Sequence, residues 1–310
     1  MMPRVSLRKT YGQVLLELGK NNSNIVVMDA DLAKSTQTIL FGKEVAERFI
    51  DVGLSEQDMI SMAAGISLTG KTVFASSFCV FLVGRVYDQV RQSVCYNNAN
   101  VKLIGTHSGL GVGEDGSTHQ ALEDIALLRP LPNMRIIVPA DAIETARTIE
   151  YVSSHPGPFF VRLTRSNLDQ VHDDNYSFKL GKASILKKGS DIALFAIGAM
   201  VEKALEAASL LEKESISTAV VNMSSLKPLD KETILEMAVA TRAIISIEDH
   251  SVYGGLGSAI AEYLSQTRPT KMKIMGIDNK FGRSGSPEEL YTLYGLAASD
   301  IVNEARNILK

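Results

Sequence analysis

With 310 residues, 45% of them hydrophobic and 22% charged, the chain suits two globular domains rather than one small core or a disordered polymer. A net charge of -3 supplies no basic field for nucleic acid, and no apolar run approaches the roughly 20 residues of a membrane span. Cys79 and Cys95 form no metal-ligand spacing and read as buried thiols in a reducing compartment. With no signal-peptide pattern at the start, the expected location is cytoplasmic.

Short apolar runs alternate with helical patterns, which predicts an α/β fold of two domains with mainly parallel sheets flanked by helices. A helix over 8–19 puts Tyr11, Val14, Leu15 and Leu18 on one face, and 25–28 reads as a buried strand. Ser55 is expected to cap a helix beginning near Glu56. Strand 72–76, helix 81–96, strand 101–105, helix 119–128, strand 135–138, helix 142–153 and strand 159–163 complete a first domain, 1–168. The pattern weakens over 169–188, the expected linker. It resumes in a second domain, 189–310, with strands at 192–197, 218–222, 243–247 and 273–277 and helices between and after them.

In open parallel sheets, ligands sit where strands end and helices begin. Those junctions are residues 29–35, 53–56, 76–81, 106–119 and 162–165, all in the first domain. The fourth carries glycines at 109, 111, 113 and 116, then Glu114, Asp115 and His119, with His107 before them. Such glycines let backbone approach a ligand, and two acids and a histidine entering a helix N-terminus suit polarised oxygens and anions. A solvated surface loop with a polar cap explains the same residues. At the second junction Glu56 precedes a helix whose residues 59–70 hold no charge. A half-buried carboxyl shares or donates a proton at neutral pH, although a good partner for the helix dipole is the plainer reading. Phe78 and Phe81 offer a planar ligand a stacking face, or else they pack the core.

Taken together, segments 53–59, 78–81 and 111–120 resemble the pyrimidine-binding domain of transketolase, and the run Gly-Glu-Asp-Gly-Ser-Thr-His-Gln is the specific element. The resemblance covers the whole chain, because Gly254-Gly255-Leu256-Gly257 resembles a helix start in the transketolase carboxy-terminal domain. It implies a chain that binds thiamine diphosphate, with Glu56, His107 and His119 as catalytic residues. Glu56 would bond the N1′ nitrogen of the aminopyrimidine and so promote loss of the thiazolium C2 proton. Phe81 would stack on the pyrimidine with Phe78 beside it, and Asp31 and Leu32 would line the cofactor site. His119 would bond the ketose C1 hydroxyl, and Asp115 would read C2 hydroxyl stereochemistry. Arg8, Ser35, His107 and Arg165 would hold the phosphate, for which guanidinium forks are suited. The sequence departs from the family where Gly84 replaces an expected tyrosine; Tyr87 lies one helical turn further on.

The family's Gly-Asp-Gly metal segment does not occur in this sequence. By resemblance, Mg²⁺ (or Ca²⁺ or Mn²⁺) and the diphosphate would be held mainly by an N-terminal transketolase subunit, in an α₂β₂ assembly acting on sugar phosphates of pentose phosphate metabolism. No nucleic-acid or membrane partner is expected. Rival readings are a deoxyxylulose phosphate synthase-like enzyme, a 2-oxo acid dehydrogenase beta-type subunit, and a noncatalytic assembly subunit. The second domain is assigned to assembly. His250 is expected as a hydrogen-bonded structural histidine near a domain interface, and His155 and His172 as surface residues.

Overall fold

The computed structural model describes residues 4–310. Runs such as Ile25-Val26-Val27-Met28 are apolar at every position because both faces of the strand are covered, as parallel sheets require. Ile25 and Val27 point into one apolar cluster while Val26 and Met28 point into the other, the period-2 consequence of strand geometry.

Seven strands form the larger sheet, in the order Ser225–Lys227, Arg135–Ile137, Phe159–Arg162, Val101–Thr106, Thr72–Phe78, Ile25–Asp29 and Phe49–Asp51. All pair in parallel except Ser225–Lys227, which runs antiparallel to its neighbour. The smaller sheet has five strands, ordered Met272–Ile277, Ala243–Ser251, Ile192–Ala196, Thr218–Asn222 and Ser184–Lys187, with only the last antiparallel. A short antiparallel pair joins Val5–Ser6 to Asn167–Leu168. The two sheets share their cores: Phe74 and Ile245 lie in one cluster, Ala75 and Phe195 in the other.

Several expectations need correction. Residues 81–96 are not one α-helix. Two π-helical turns, Val80–Gly84 and Val90–Tyr96, flank the short α-helix Tyr87–Gln89. The helix expected over 119–128 is only Asp124–Leu128. Residues 116–121 turn instead, because Gly116 has φ +77° and a bridge between Ser108 and Ala121 closes the loop at its neck. The acids and histidine of this loop therefore do not enter a helix N-terminus. Ser55 sits at the N-cap of the helix Glu56–Ser67 without bonding it through its side chain. Ser184–Lys187, inside the expected linker, is a strand of the smaller sheet, and Ser225–Lys227 crosses into the larger one. His172 is not a surface residue: its buried ring lies 3.0 Å from Asp141 Oδ2. His250 is fully buried, and its Nε2 accepts from the Ala126 amide across the boundary between the sheets.

Candidate functional site

The parallel strands of the larger sheet end on one edge, and the strand ends, loops and first helical turns at this edge carry every site residue expected from sequence except Arg8. Arg8 reaches the same edge from the first turn of the helix Leu7–Asn21. Asp29 and Asp51 organise the outermost loops. Buried Asp29 accepts from the Leu32 amide at 2.8 Å and from the Thr36 and Thr38 hydroxyls at 2.7 and 2.8 Å. Asp51 Oδ1 accepts from the amides of Asp31, at 2.9 Å, and Gly53, at 3.0 Å. Asp31 takes φ +61° in this turn, a conformation that a short carboxylate side chain tolerates better than most.

Glu56 is 2% exposed, in the first turn of its helix. Its Oε2 accepts from Arg85 Nη1 at 2.7 Å. The Arg85 guanidinium also lies 4.4 Å from the centre of the Phe81 ring, a cation–π contact. Phe81 and Phe78 are nearly parallel with centroids 6.0 Å apart. His107 stacks on Phe78 at 3.7 Å, and the His119 ring stands edge-on to Phe81 at 5.4 Å. One continuous aromatic wall therefore runs from His107 to Phe81, with the Glu56–Arg85 pair at its end.

A second group adjoins this wall. Arg8 Nη1 donates to the Ser35 carbonyl at 2.7 Å, and Arg165 Nη1 donates to the Val112 carbonyl at 2.6 Å. Arg165 also lies 3.3 Å from Glu114 and 3.9 Å from Asp115. Burial, and after it the Arg165 charge, lowers the Arg8 pKa. Arg8 Nε is buried with no partner. Arg8, held by carbonyls alone and with an unused donor, and Arg165, shared with the Glu114 and Asp115 carboxylates, form a site that an anion would complete. His107 is pushed down to about 3, first by burial and then by Arg8, Arg165 and His119, so its imidazole is neutral at physiological pH. Its Nδ1 lies 2.9 Å from Thr106 Oγ1, and the backbone at His107 takes φ +55°.

The structure thus unites Glu56, Phe78, Phe81, His107 and His119, and sets Arg8, Ser35, Asp115 and Arg165 beside them. Asp31 and Leu32 lie on the neighbouring loop at the same sheet edge. Sequence reasoning missed Arg85, whose one signal is its position as the single cation in the run 80–90. It also missed the organising carboxylates Asp29 and Asp51. Beyond Gly84 a side chain would enter open space, so no close packing demands a glycine there. Among the described residues no three His, Cys, Asp or Glu side chains are grouped to hold a metal ion. No helix among them is long and apolar enough to cross a membrane.

Comparison with known proteins agrees with this geometry. Residues 4–170 match the family profile "Transketolase, pyrimidine binding domain", and residues 181–301 match "Transketolase, C-terminal domain". A "Putative transketolase C-terminal section" of Methanocaldococcus jannaschii is 42% identical over 98% of this chain and 96% of its own length. Human transketolase is 34% identical over 99% of this chain, which spans only 49% of the human protein. A solved structure described as "Split gene transketolase, inactive beta4 tetramer" superposes with a TM-score of 0.92 at 44% identity, covering 98% of both chains. The chain belongs to the transketolase family, as a carboxy-terminal section made of its pyrimidine-binding and C-terminal domains.

Proposed function

We propose that this chain is the carboxy-terminal subunit of a thiamine diphosphate-dependent transketolase. It would help transfer a two-carbon ketol unit from a ketose phosphate to an aldose phosphate, and would be active only with an N-terminal partner. The observation that carries the reading is the aromatic wall Phe78–Phe81–His107–His119, bounded at one end by buried Glu56 and flanked by the Arg8–Arg165 pair. A flat heterocycle with a ring nitrogen fits a phenyl face beside a buried carboxyl, so the residues present suit the aminopyrimidine end of the cofactor. Among the described residues no three carboxylate or imidazole side chains are grouped for an octahedral Mg²⁺, and the sequence holds no Gly-Asp-Gly segment. The metal and diphosphate end is assigned to the partner, in an α₂β₂ assembly. The inactivity of the β4 tetramer named for the related split transketolase supports this division.

When bound, the cofactor supplies an electron sink at its thiazolium ring. In this chain, Glu56 holds a proton at the pyrimidine N1′ and Phe81 supports the ring. His107, neutral, and His119 bond sugar hydroxyls, with His119 at C1, and Asp115 meets the C2 hydroxyl. Arg8, with Ser35 and Arg165, receives the terminal phosphate. A cytoplasmic setting belongs to the same reading and accords with two free, buried thiols. The paired guanidiniums favour ketoses and aldoses that carry an anionic terminus, and a phosphate is the one proposed here. Relatives at 38% and 36% identity are named for 6-deoxy-6-sulfo-D-fructose and apulose-4-phosphate, so a sulfonate terminus is the natural comparison substrate. A ketol-transfer assay of the assembled pair with xylulose and ribose phosphates tests the proposal. Product formation supports it, and its absence with every phosphorylated or sulfonated ketose overturns it.

A further inference from the structure

The loop 109–120, which carries Asp115 and His119, rests on the second domain at almost every turn. Asp249, buried near the end of the strand Ala243–Ser251, accepts from the Leu110 amide at 2.8 Å through Oδ1. Its Oδ2 accepts from the Gly111 amide at 3.2 Å and from the Tyr291 hydroxyl at 3.1 Å. Gly109 has φ +61°, and any Cβ there would strike the Asp249 carboxylate. Further along, Gln120 Nε2 donates to the Arg283 carbonyl at 2.9 Å, Gly116 is pressed against Ser284, and Gly113 faces Gly285 and Pro287. The buried Arg162 guanidinium fixes both sides of the joint, donating to the carbonyls of Ala121, at 3.1 Å, and Asp249, at 3.0 Å.

We infer that Asp249, braced by Tyr291, is a positioning residue for sugar recognition: it sets the conformation of the loop that presents Asp115 and His119. The second domain then has a function beyond assembly. A carboxylate is needed because two amides and a hydroxyl converge on it, and only a group without donors of its own accepts from all three. Asp249 acts through the loop and touches no substrate. The inference rests on the sugar-binding reading of the loop given above.

The test uses the assembled pair carrying Asp249→Asn or Tyr291→Phe, the second deleting one hydroxyl while keeping the buried ring. The first readout is amide hydrogen exchange. Protection at Leu110 and Gly111 is expected to fall at least about tenfold in Asp249→Asn, with the strands of the smaller sheet unchanged. The second is the ratio of kcat/KM for two acceptor aldose phosphates epimeric at C2. This ratio does not depend on the fraction of active protein, and it is expected to drop about tenfold in Asp249→Asn and a few-fold in Tyr291→Phe. Cofactor affinity stays within about threefold. Wild-type protection and an unchanged epimer ratio in both variants overturn the inference. Asp115→Asn, at the residue that meets the C2 hydroxyl, keeps the two questions apart. If it leaves kcat and the epimer ratio intact, the reading of the loop fails; if it lowers them while the clamp variants do not, only the clamp fails.

Discussion

Glu56 reaches the site as a buried carboxyl whose partner is a guanidinium 48% exposed to solvent. Removing the carboxyl in Glu56→Ala is expected to lower kcat of the assembled enzyme by about 10²–10⁴-fold, the range for a positioned proton-transfer group. Circular dichroism and assembly would stay unchanged, and near-normal turnover would refute the role. Arg85 holds both groups proposed for the aminopyrimidine, the Glu56 oxygen and the Phe81 face, so it must yield when the ring enters. Arg85→Met is accordingly expected to tighten thiamine diphosphate binding to the assembled pair by about threefold or more, read by calorimetric titration. Weaker binding would make Arg85 a ligand instead of a competitor. At the other end of the wall, Arg8→Ala is expected to raise KM for the phosphorylated donor by about 10–100-fold with little change in kcat. A parallel fall in kcat with unchanged KM would place Arg8 at the reacting centre.

Elements divide sharply in how far they were legible from sequence. The central strands announce themselves, because burial on both faces leaves uninterrupted runs such as Ile25-Val26-Val27-Met28. The junctions that carry the site follow from the same pattern. The backbone inside those junctions does not. Gly109, Gly113 and Gly116 take positive φ, and the π-helical turns at Val80–Gly84 and Val90–Tyr96 reset the helical phase, neither of which hydrophobic periodicity encodes. Nor does periodicity encode pairs such as Glu56 with Arg85, or Asp249 with the amides of Leu110 and Gly111, which only the tertiary fold brings together. His172 shows the same limit. Placed in a weakly patterned stretch, it is bound to Asp141, the residue that also caps the helix Ala142–Ser154. Burial opposes the charged ring, but the hydrogen bond to Asp141 and nearby carboxylates outweigh it and raise the His172 pKa above 6.5. Its contribution to stability is therefore full below about pH 6.5 and lost as pH rises through the folded-state value. The gap in Tm between wild type and His172→Gln is expected to be widest near pH 6 and to shrink by about pH 9. A gap independent of pH would show that packing, not charge, is what His172 supplies.

At the scale of the whole molecule, the two domains are interlocked. Ser225–Lys227 completes the larger sheet, buried His250 bonds the first domain's backbone, and Asp249 holds the loop that carries Asp115 and His119. In the proposed reading the chain supplies half a site, the aromatic wall for the pyrimidine and the Arg8–Arg165 pair for the phosphate, and the partner supplies the metal and diphosphate end. The most direct test of this division is calorimetric titration of thiamine diphosphate with Mg²⁺ into the chain alone, and into the chain mixed with an N-terminal transketolase subunit bearing a Gly-Asp-Gly segment. Saturable binding, with ketol transfer, is expected only in the mixture. Tight binding or turnover by the chain alone would contradict the account.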